Sequence, residues 1–209
     1  MDQEILFVLL EKYADWEGSF LAAEIMEKSF QKSSGFVVKT LSLTKQAVES
    51  IGGFKTFPDY DLNSAPKHFK GLILIGGTSW RTKESELFIP MVQQAIKENV
   101  VVGAICDASQ FLATHGLINH VKHTSNDLND LLSIPNSKYK NKSNYQNAQA
   151  VSDQHIVTAN GSAPLEFAKE LLIVLGVSTV EEAEEFYTFN KLGYIEYLKQ
   201  MKMKNESET

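Results

Sequence analysis

The chain has 209 residues, of which 43% are hydrophobic and 22% charged, with a formal net charge of −6; this is the composition of a globular protein with apolar material for a sizeable core. No segment concentrates lysine and arginine, so a nucleic-acid backbone finds no electrostatic footprint. No run approaches the roughly 18 uninterrupted apolar residues of a membrane span, and the expected partners exclude both nucleic acid and membrane.

The N-terminus runs MDQEILFVLL, with acids before the apolar stretch, no basic n-region and no small-residue cleavage site, unlike a secretory signal. A single cysteine, Cys106, rules out an internal disulfide and fits a reducing compartment, so a cytoplasmic protein is expected.

Short apolar runs rich in β-branched residues alternate with helical spacing, the pattern of an α/β protein with a largely parallel sheet. Ile5 to Leu10 reads as the first strand and Trp16 to Phe30 as a helix. Phe36 to Leu43 reads as the second strand, entered through a Ser33-Ser34-Gly35 turn. Residues 46–62 are ambiguous: Gly52-Gly53 precede an alternating piece, Phe54 to Asp59, whose Pro58 restricts it to a small hairpin or an edge strand. Gly71 to Gly77 is a buried-strand run ending in two glycines. Glu84 to Lys97 reads as a helix interrupted by Pro90, and Val100 to Ile105 as another buried strand.

A helix from Asp107 to His115 ends at Gly116, a residue suited to the position after a helix. The polar stretch Asn136 to Asn147 reads as a surface loop. His155 to Asn160 is the last expected strand, and the helix after it starts at Pro164 and stops at Gly176. STVEEAEEF and NKLGYIEYLKQ give two shorter helices, and MKMKNESET a frayed tail.

In doubly wound sheets, chemistry gathers beyond the carboxyl ends of the strands. Cys106, Gly76-Gly77 and the stretch Asp15-Trp16-Glu17-Gly18 all arrive there. A cysteine between a strand and a helix is displayed by the turn, and the helix start favours thiolate over thiol. The glycines present backbone amides without a Cβ in the way, suited to an oxyanion. Each feature has a plainer reading. Cys106 fills a core, Glu17 and Asp107 are acids favoured at helix starts, and Trp16 and Trp80 are packing residues or an aromatic wall for a ligand. His68, His115, His120 and His155 lack zinc-site spacing, so no metal is expected. Glu181, Glu182, Glu184 and Glu185 read as a solvated helix face.

Ala104-Ile105-Cys106 followed by Leu112-Ala113 and Gly116-Leu117, the strand-ending Gly76-Gly77, and Val157-Thr158-Ala159-Asn160-Gly161 leading into Leu165-Glu166-Phe167-Ala168 together resemble the ThiJ/PfpI family of the class I glutamine amidotransferase-like superfamily. Pro58-Asp59-Tyr60 after Gly52-Gly53 is similar to the family's segment before its glycine strand, and the likeness runs from about Ile5 to Gly176. The resemblance implies a flavodoxin-like three-layer α/β sandwich with a mostly parallel sheet and a nucleophile elbow at Cys106. The domain spans residues 1–176, with a C-terminal helical appendage at 177–200 and a flexible tail at 201–209. It also implies a homodimer that uses no cofactor.

Residue by residue, Cys106 matches the family's elbow cysteine and Glu17 the acid beside it; the amides of Gly77 and Asp107 match the oxyanion site. Two buried anions in contact repel, so one partner keeps a proton, and a neutral Glu17 donating to the thiolate is the expected arrangement. The sequence departs from the family at the base. Asp107 stands where protease-like members place a histidine. In His123-Thr124-Ser125-Asn126, Asn126 stands where other members have one, and it cannot take a proton. His123 lies three residues early, which turns it to the other face of an extended segment.

The residues expected to carry chemistry are Cys106, Glu17 and Asp107, with Gly76, Trp16, Trp80, Asn126 and His123 as substrate-binding candidates. Three functions stay open. The first is a cysteine-dependent enzyme on small molecules or peptides, hydrolase- or amidase-like, peptidase-like, or directed at carbonyls as in glyoxalase and deglycase chemistry. The second is a thiol sensor of oxidants or electrophiles. The third is an inactive binding module.

Overall fold

The computed structural model describes residues 3–32 and 35–207; the expected Ser33-Ser34 turn and the end of the expected tail lie outside the described residues. The elements run β1 (Gln3–Val8), α1 (Asp15–Lys32), β2 (Phe36–Ser42), β3 (Val48–Glu49), β4 (Lys55–Thr56), β5 (Tyr60–Asp61), β6 (Gly71–Leu74), α2 (Ile89–Lys97), β7 (Val101–Ile105), α3 (Asp107–Thr114), α4 (Leu128–Ser133), β8 (Ala150–Asp153), β9 (Ile156–Ala159), α5 (Pro164–Val174), α6 (Val180–Leu192) and α7 (Tyr194–Ser207).

Seven strands form one sheet in the order β5-β2-β1-β6-β7-β9-β8. Every neighbouring pair is parallel except β8 against β9. β6, β7 and β9 are buried at every position, which is why they read as continuous apolar runs, the mark of a sheet covered on both faces. In β1 the period of two sorts side chains between two cores. Ile5 and Phe7 join Leu21, Ile25 and Phe167 on one side, while Leu6 and Val8 join Phe88, Val92 and Leu112 on the other. This is a three-layer α/β sandwich.

The chain winds from β1 outward to β2 and β5, then returns to lay β6 on the opposite side of β1. The loops after β1 and β6 therefore part around a crevice at the carboxyl ends of the strands, the usual ligand position in open α/β sheets.

The two-stranded antiparallel β3–β4 hairpin realises one of the readings open for residues 46–62, and β5 adds an edge strand there. Pro90 does not interrupt a helix. Lys83–Phe88 forms a 3₁₀ segment, and α2 begins at Ile89 with the proline in its first turn, where the missing N–H costs nothing. α6 starts on a capping box in which Thr179 and Glu182 satisfy each other's backbone amides. It ends at Gly193, φ +77°, and α7 continues to Ser207, so residues 201–207 of the segment expected to fray are helical. No helix among the described residues is long and apolar enough to cross a membrane.

α5 is held close to β7 because Gly103 has no side chain: a Cβ there would stand 2.9 Å from Leu171 and 3.0 Å from Phe167. Phe167 is fully buried, so Phe167→Ala is expected to cost about 3–5 kcal/mol. Urea unfolding followed by circular dichroism measures the loss, and one under about 1 kcal/mol would contradict this packing.

Candidate active site

Cys106 follows β7 and precedes α3 with φ 58° and ψ −131°. A non-glycine residue held there stores about 1–3 kcal/mol of strain and throws its side chain out of the strand, as a nucleophile elbow does. The turn is fastened from both sides. The Cys106 amide donates to the Ala159 carbonyl at 3.0 Å, and the Ser109 hydroxyl donates to the Cys106 carbonyl at 2.6 Å while pairing with Ser125 at 2.8 Å.

α1 brings Glu17 to the same point. Gly18 lets the helix approach the end of β6, since a Cβ there would lie 2.9 Å from Ile75. Glu17 is 1% exposed, and its carboxylate accepts the Gly76 amide at 2.8 Å. Its other partner is the Cys106 thiol. A Cβ on Gly76 would run into the Glu17 carboxylate and stand 2.6 Å from the Cys106 Cβ, and one on Gly161 would stand 2.9 Å from Sγ. Gly161, read from the sequence only as part of the stretch leading into α5, is thus the far wall of the thiol.

Burial pushes Glu17 up to about 7, against the hydrogen bonds from Cys106 and Gly76 that favour its ionised form. Burial also pushes the Cys106 thiol up, to about 11, reinforced by the charges of Glu17 and Asp107. The Asn126 amide group and the Asp107 backbone amide, which oppose this shift, are outweighed. The pair therefore shares a proton at neutral pH, as two buried acids in contact must. Both groups are pushed up by burial, so neither readily takes the charge, and the pair keeps at least one proton near neutral pH.

The Asp107 side chain is not available as a free base. Arg81 grips it with two parallel bonds, Nε to Oδ2 and Nη2 to Oδ1, both 2.8 Å, and reaches Asp130 at 3.3 Å. These carboxylates hold the Arg81 guanidinium far above its ordinary range. Asn126 completes the network: Oδ1 accepts the Gly161 amide at 2.8 Å, which turns Nδ2 toward Cys106 Sγ at 3.4 Å and Asp107 Oδ1 at 3.3 Å. Arg81 was not singled out from the sequence. The available signal was its place four residues past Gly77, on the 3₁₀ segment Thr78–Arg81 that follows β6.

Among the described residues the Gly77 amide donates to no protein acceptor. Its φ of +146° and a Cβ position 2.5 Å from the Lys12 carbonyl make it a glycine-only site. Of the two expected oxyanion donors, Gly77 lies past the end of β6 and Asp107 follows the nucleophile past the end of the neighbouring β7, with the Asp107 amide facing sulfur.

Two candidates are not brought to the thiol. His123 is fully buried; its Nδ1 donates to the Val121 carbonyl at 2.9 Å, so Nε2 accepts from the Tyr139 hydroxyl at 2.7 Å. Both ring nitrogens are committed, and burial lowers its pKa. Trp80 is likewise core: its indole N–H donates to the Ile75 carbonyl at 2.6 Å, and the ring packs on Phe88 and Phe111. Trp16 stands 47% exposed in the first turn of α1. No three His, Cys, Asp or Glu side chains among the described residues gather as metal ligands.

A doubly wound α/β sandwich with a strained cysteine elbow beside a buried carboxyl defines a class of cysteine-centred proteins. Residues 3–174 match the DJ-1/PfpI family model, and the chain belongs to that family. It is similar to two proteins of Bacillus subtilis strain 168, "Uncharacterized protease YdeA" at 37% identity over 93% of this chain and 94% of the relative, and "Uncharacterized protease YoaZ" at 33% over 93% and 94%. A solved thiJ/pfpI family protein from Bacillus anthracis superposes with a TM-score of 0.86 at 33% identity, covering 96% of this chain and 95% of that one.

Two outcomes check the electrostatics. Glu17→Gln removes the carboxylate that opposes thiolate formation, so iodoacetamide alkylation of Cys106, followed against pH, is expected to rise at lower pH than in the wild type; an unmoved profile contradicts the shared proton. Arg81→Gln leaves the Asp107 charge uncompensated beside sulfur and is expected to move the profile the other way. Adding Asp107→Asn to that variant is expected to restore it, and failure to do so would mean Arg81 acts through structure alone.

Proposed function

We propose that the protein is a cysteine-dependent, hydrolase-like enzyme acting on the carbonyl carbon of small neutral amides or peptides, with Glu17 as the proton carrier in place of a histidine. The observation that carries this reading is the buried Glu17–Cys106 pair, with Glu17 pushed up to about 7, next to a strained elbow. A carboxyl of that pKa takes and gives a proton near neutrality.

The Cys106 proton passes to the Glu17 carboxylate as sulfur bonds to the carbonyl carbon, and the π pair moves onto oxygen, facing the amides of Gly77 and Asp107. Collapse restores the carbonyl and breaks the C–N bond, and the leaving amine takes the proton from Glu17. Water then attacks the thioester, giving one proton to Glu17 that returns to the departing sulfur. The sum is water added across one amide bond. The protease names of the two Bacillus subtilis relatives support this chemistry.

Asn126 favours a second reading. A carboxamide in the histidine position cannot relay a proton to a leaving group, so Cys106 instead captures aldehydes, other electrophiles or oxidants, and serves as a glyoxalase- or deglycase-like site or a stoichiometric sensor. We further propose a cytoplasmic homodimer. The lone thiol suits a reducing compartment, and the hairpin region exposes Ile51, Phe54 and Phe57, more apolar surface than a monomer's scattered residues.

Hydrolysis of a neutral acetyl-dipeptide p-nitroanilide is the test. Turnover is expected to rise with pH through about 7 as Glu17 ionises, to vanish in Cys106→Ala, and to fall by roughly 10²–10⁴-fold in Glu17→Gln. Wild-type turnover in Cys106→Ala would overturn the enzyme reading; one covalent equivalent on Cys106 without turnover would select the second.

A further inference from the structure

A cleft of about 330 Å³ opens beside Asn126, between the loop that precedes α4 and the loop that precedes β8. Four carboxamides line it, those of Asn126, Asn147, Gln149 and Asn160, and no charged side chain does. Because Asn126 Nδ2 lies 3.4 Å from Cys106 Sγ, the cleft and the nucleophile share a wall.

The walls are fixed before any ligand arrives. His123 bridges the two loops, its amide donating to the Asn144 carbonyl and its carbonyl accepting the Gln146 amide. The Thr124 hydroxyl donates to the Ala148 carbonyl at 3.0 Å and the Tyr145 hydroxyl to the Ser125 carbonyl at 3.2 Å. Of the four carboxamides, Asn126 and Asn160 are committed to the protein: Asn160 Nδ2 reaches Gln149 Oε1 at 2.6 Å, and its Oδ1 accepts the Ser162 amide at 3.0 Å. The Asn147 carboxamide and Gln149 Nε2 have no protein partner among the described residues, which leaves one carbonyl oxygen and two NH2 groups open on residues that line the cleft.

This inventory matches a peptide group, which offers one N–H and one C=O, and desolvates no ion. The charges nearby select in the same direction. Glu17 and Asp107 flank the thiol, and the Arg81 guanidinium that pairs with Asp107 is shared with Asp130, so carboxylates outnumber that cation. An anionic ligand meets a net negative surround.

We propose that this cleft is the subsite that binds a neutral, amide-bearing segment, a stretch of peptide backbone, next to Asn126, the residue through which it adjoins Cys106. The proposal rests on the hydrolase reading for its purpose but concerns binding alone.

Protection of Cys106 from iodoacetamide tests it without requiring turnover. Acetyl-alanyl-alaninamide is expected to slow alkylation saturably, and the matched acid acetyl-alanyl-alanine several-fold less at equal concentration. Asn147→Ala with Gln149→Ala is expected to weaken protection about tenfold, the effect of losing the exchange-corrected hydrogen bonds, read as the ratio of protected to unprotected rate within each variant. Asn147→Asp, a single exposed change, is expected to weaken it too. Equal protection by the amide and the acid, no protection by either, or full protection in the double variant overturns the proposal. Protection without hydrolysis keeps the subsite and removes the hydrolase reading; hydrolysis without protection does the reverse.

Discussion

The site depends on one constraint: a carboxyl and a thiol pressed together where water is excluded. Neither group alone is unusual, but in contact and buried they cannot both be charged, so a proton is retained between them. The surrounding chain serves that contact. Gly18 lets α1 close on the sheet, Gly76 makes room for both groups while its amide binds the carboxylate, and Gly161 closes the far side. Four segments distant in sequence, α1 and the ends of β6, β7 and β9, must meet within a few ångströms for the pair to exist, and the parallel sheet is what aligns their ends.

Around that pair the polar groups are arranged to neutralise rather than to catalyse. Asp107 sits beside sulfur, where a free carboxylate would raise the thiol further, and Arg81 cancels most of that charge through a two-bond grip. Asn126 occupies the remaining direction with its orientation dictated by the Gly161 amide, and it offers sulfur a hydrogen bond but no proton relay. Glu17, raised to about 7 by burial, is the group in this cluster whose protonation changes near neutral pH. Burial and the two neighbouring carboxylates all oppose thiolate formation at Cys106.

Much of this was legible in the sequence, for physical reasons that differ by element. β6, β7 and β9 announced themselves because a strand covered on both faces must be apolar throughout, and the α5 boundaries because Pro164 and Gly176 do local work at helix ends. Cys106, Glu17 and the two glycines were legible because each falls at a strand end or just beyond one. β8 was not: Ala150–Asp153 is half-buried at every position and is a strand because β9 pairs with it across a tight turn at Gln154, φ +54°, a tertiary effect with no local pattern. α4 is short and starts on Asp127, which caps Asp130, a signal easily lost among the other acids. Arg81 was missed because nothing local distinguishes a cation that closes on Asp107, 26 positions away. The repulsion of Cys106 by Glu17 and Asp107 is readable from their positions, but the burial that contributes most to the thiol shift is a tertiary effect with no local pattern.

His123 ties these strands of reasoning together. Read from the sequence it is a displaced base, three positions from where a histidine would serve. In the fold it is a neutral strut whose Nε2 accepts from Tyr139 and whose backbone bridges the loops on either side of the carboxamide cleft. Spacing alone accounts for the difference: in an extended segment an odd offset reverses the face, so Asn126 looks at sulfur while His123 looks into the core. The same alternation that removes the histidine from the chemistry lets it hold rigid the wall on which Asn126 stands.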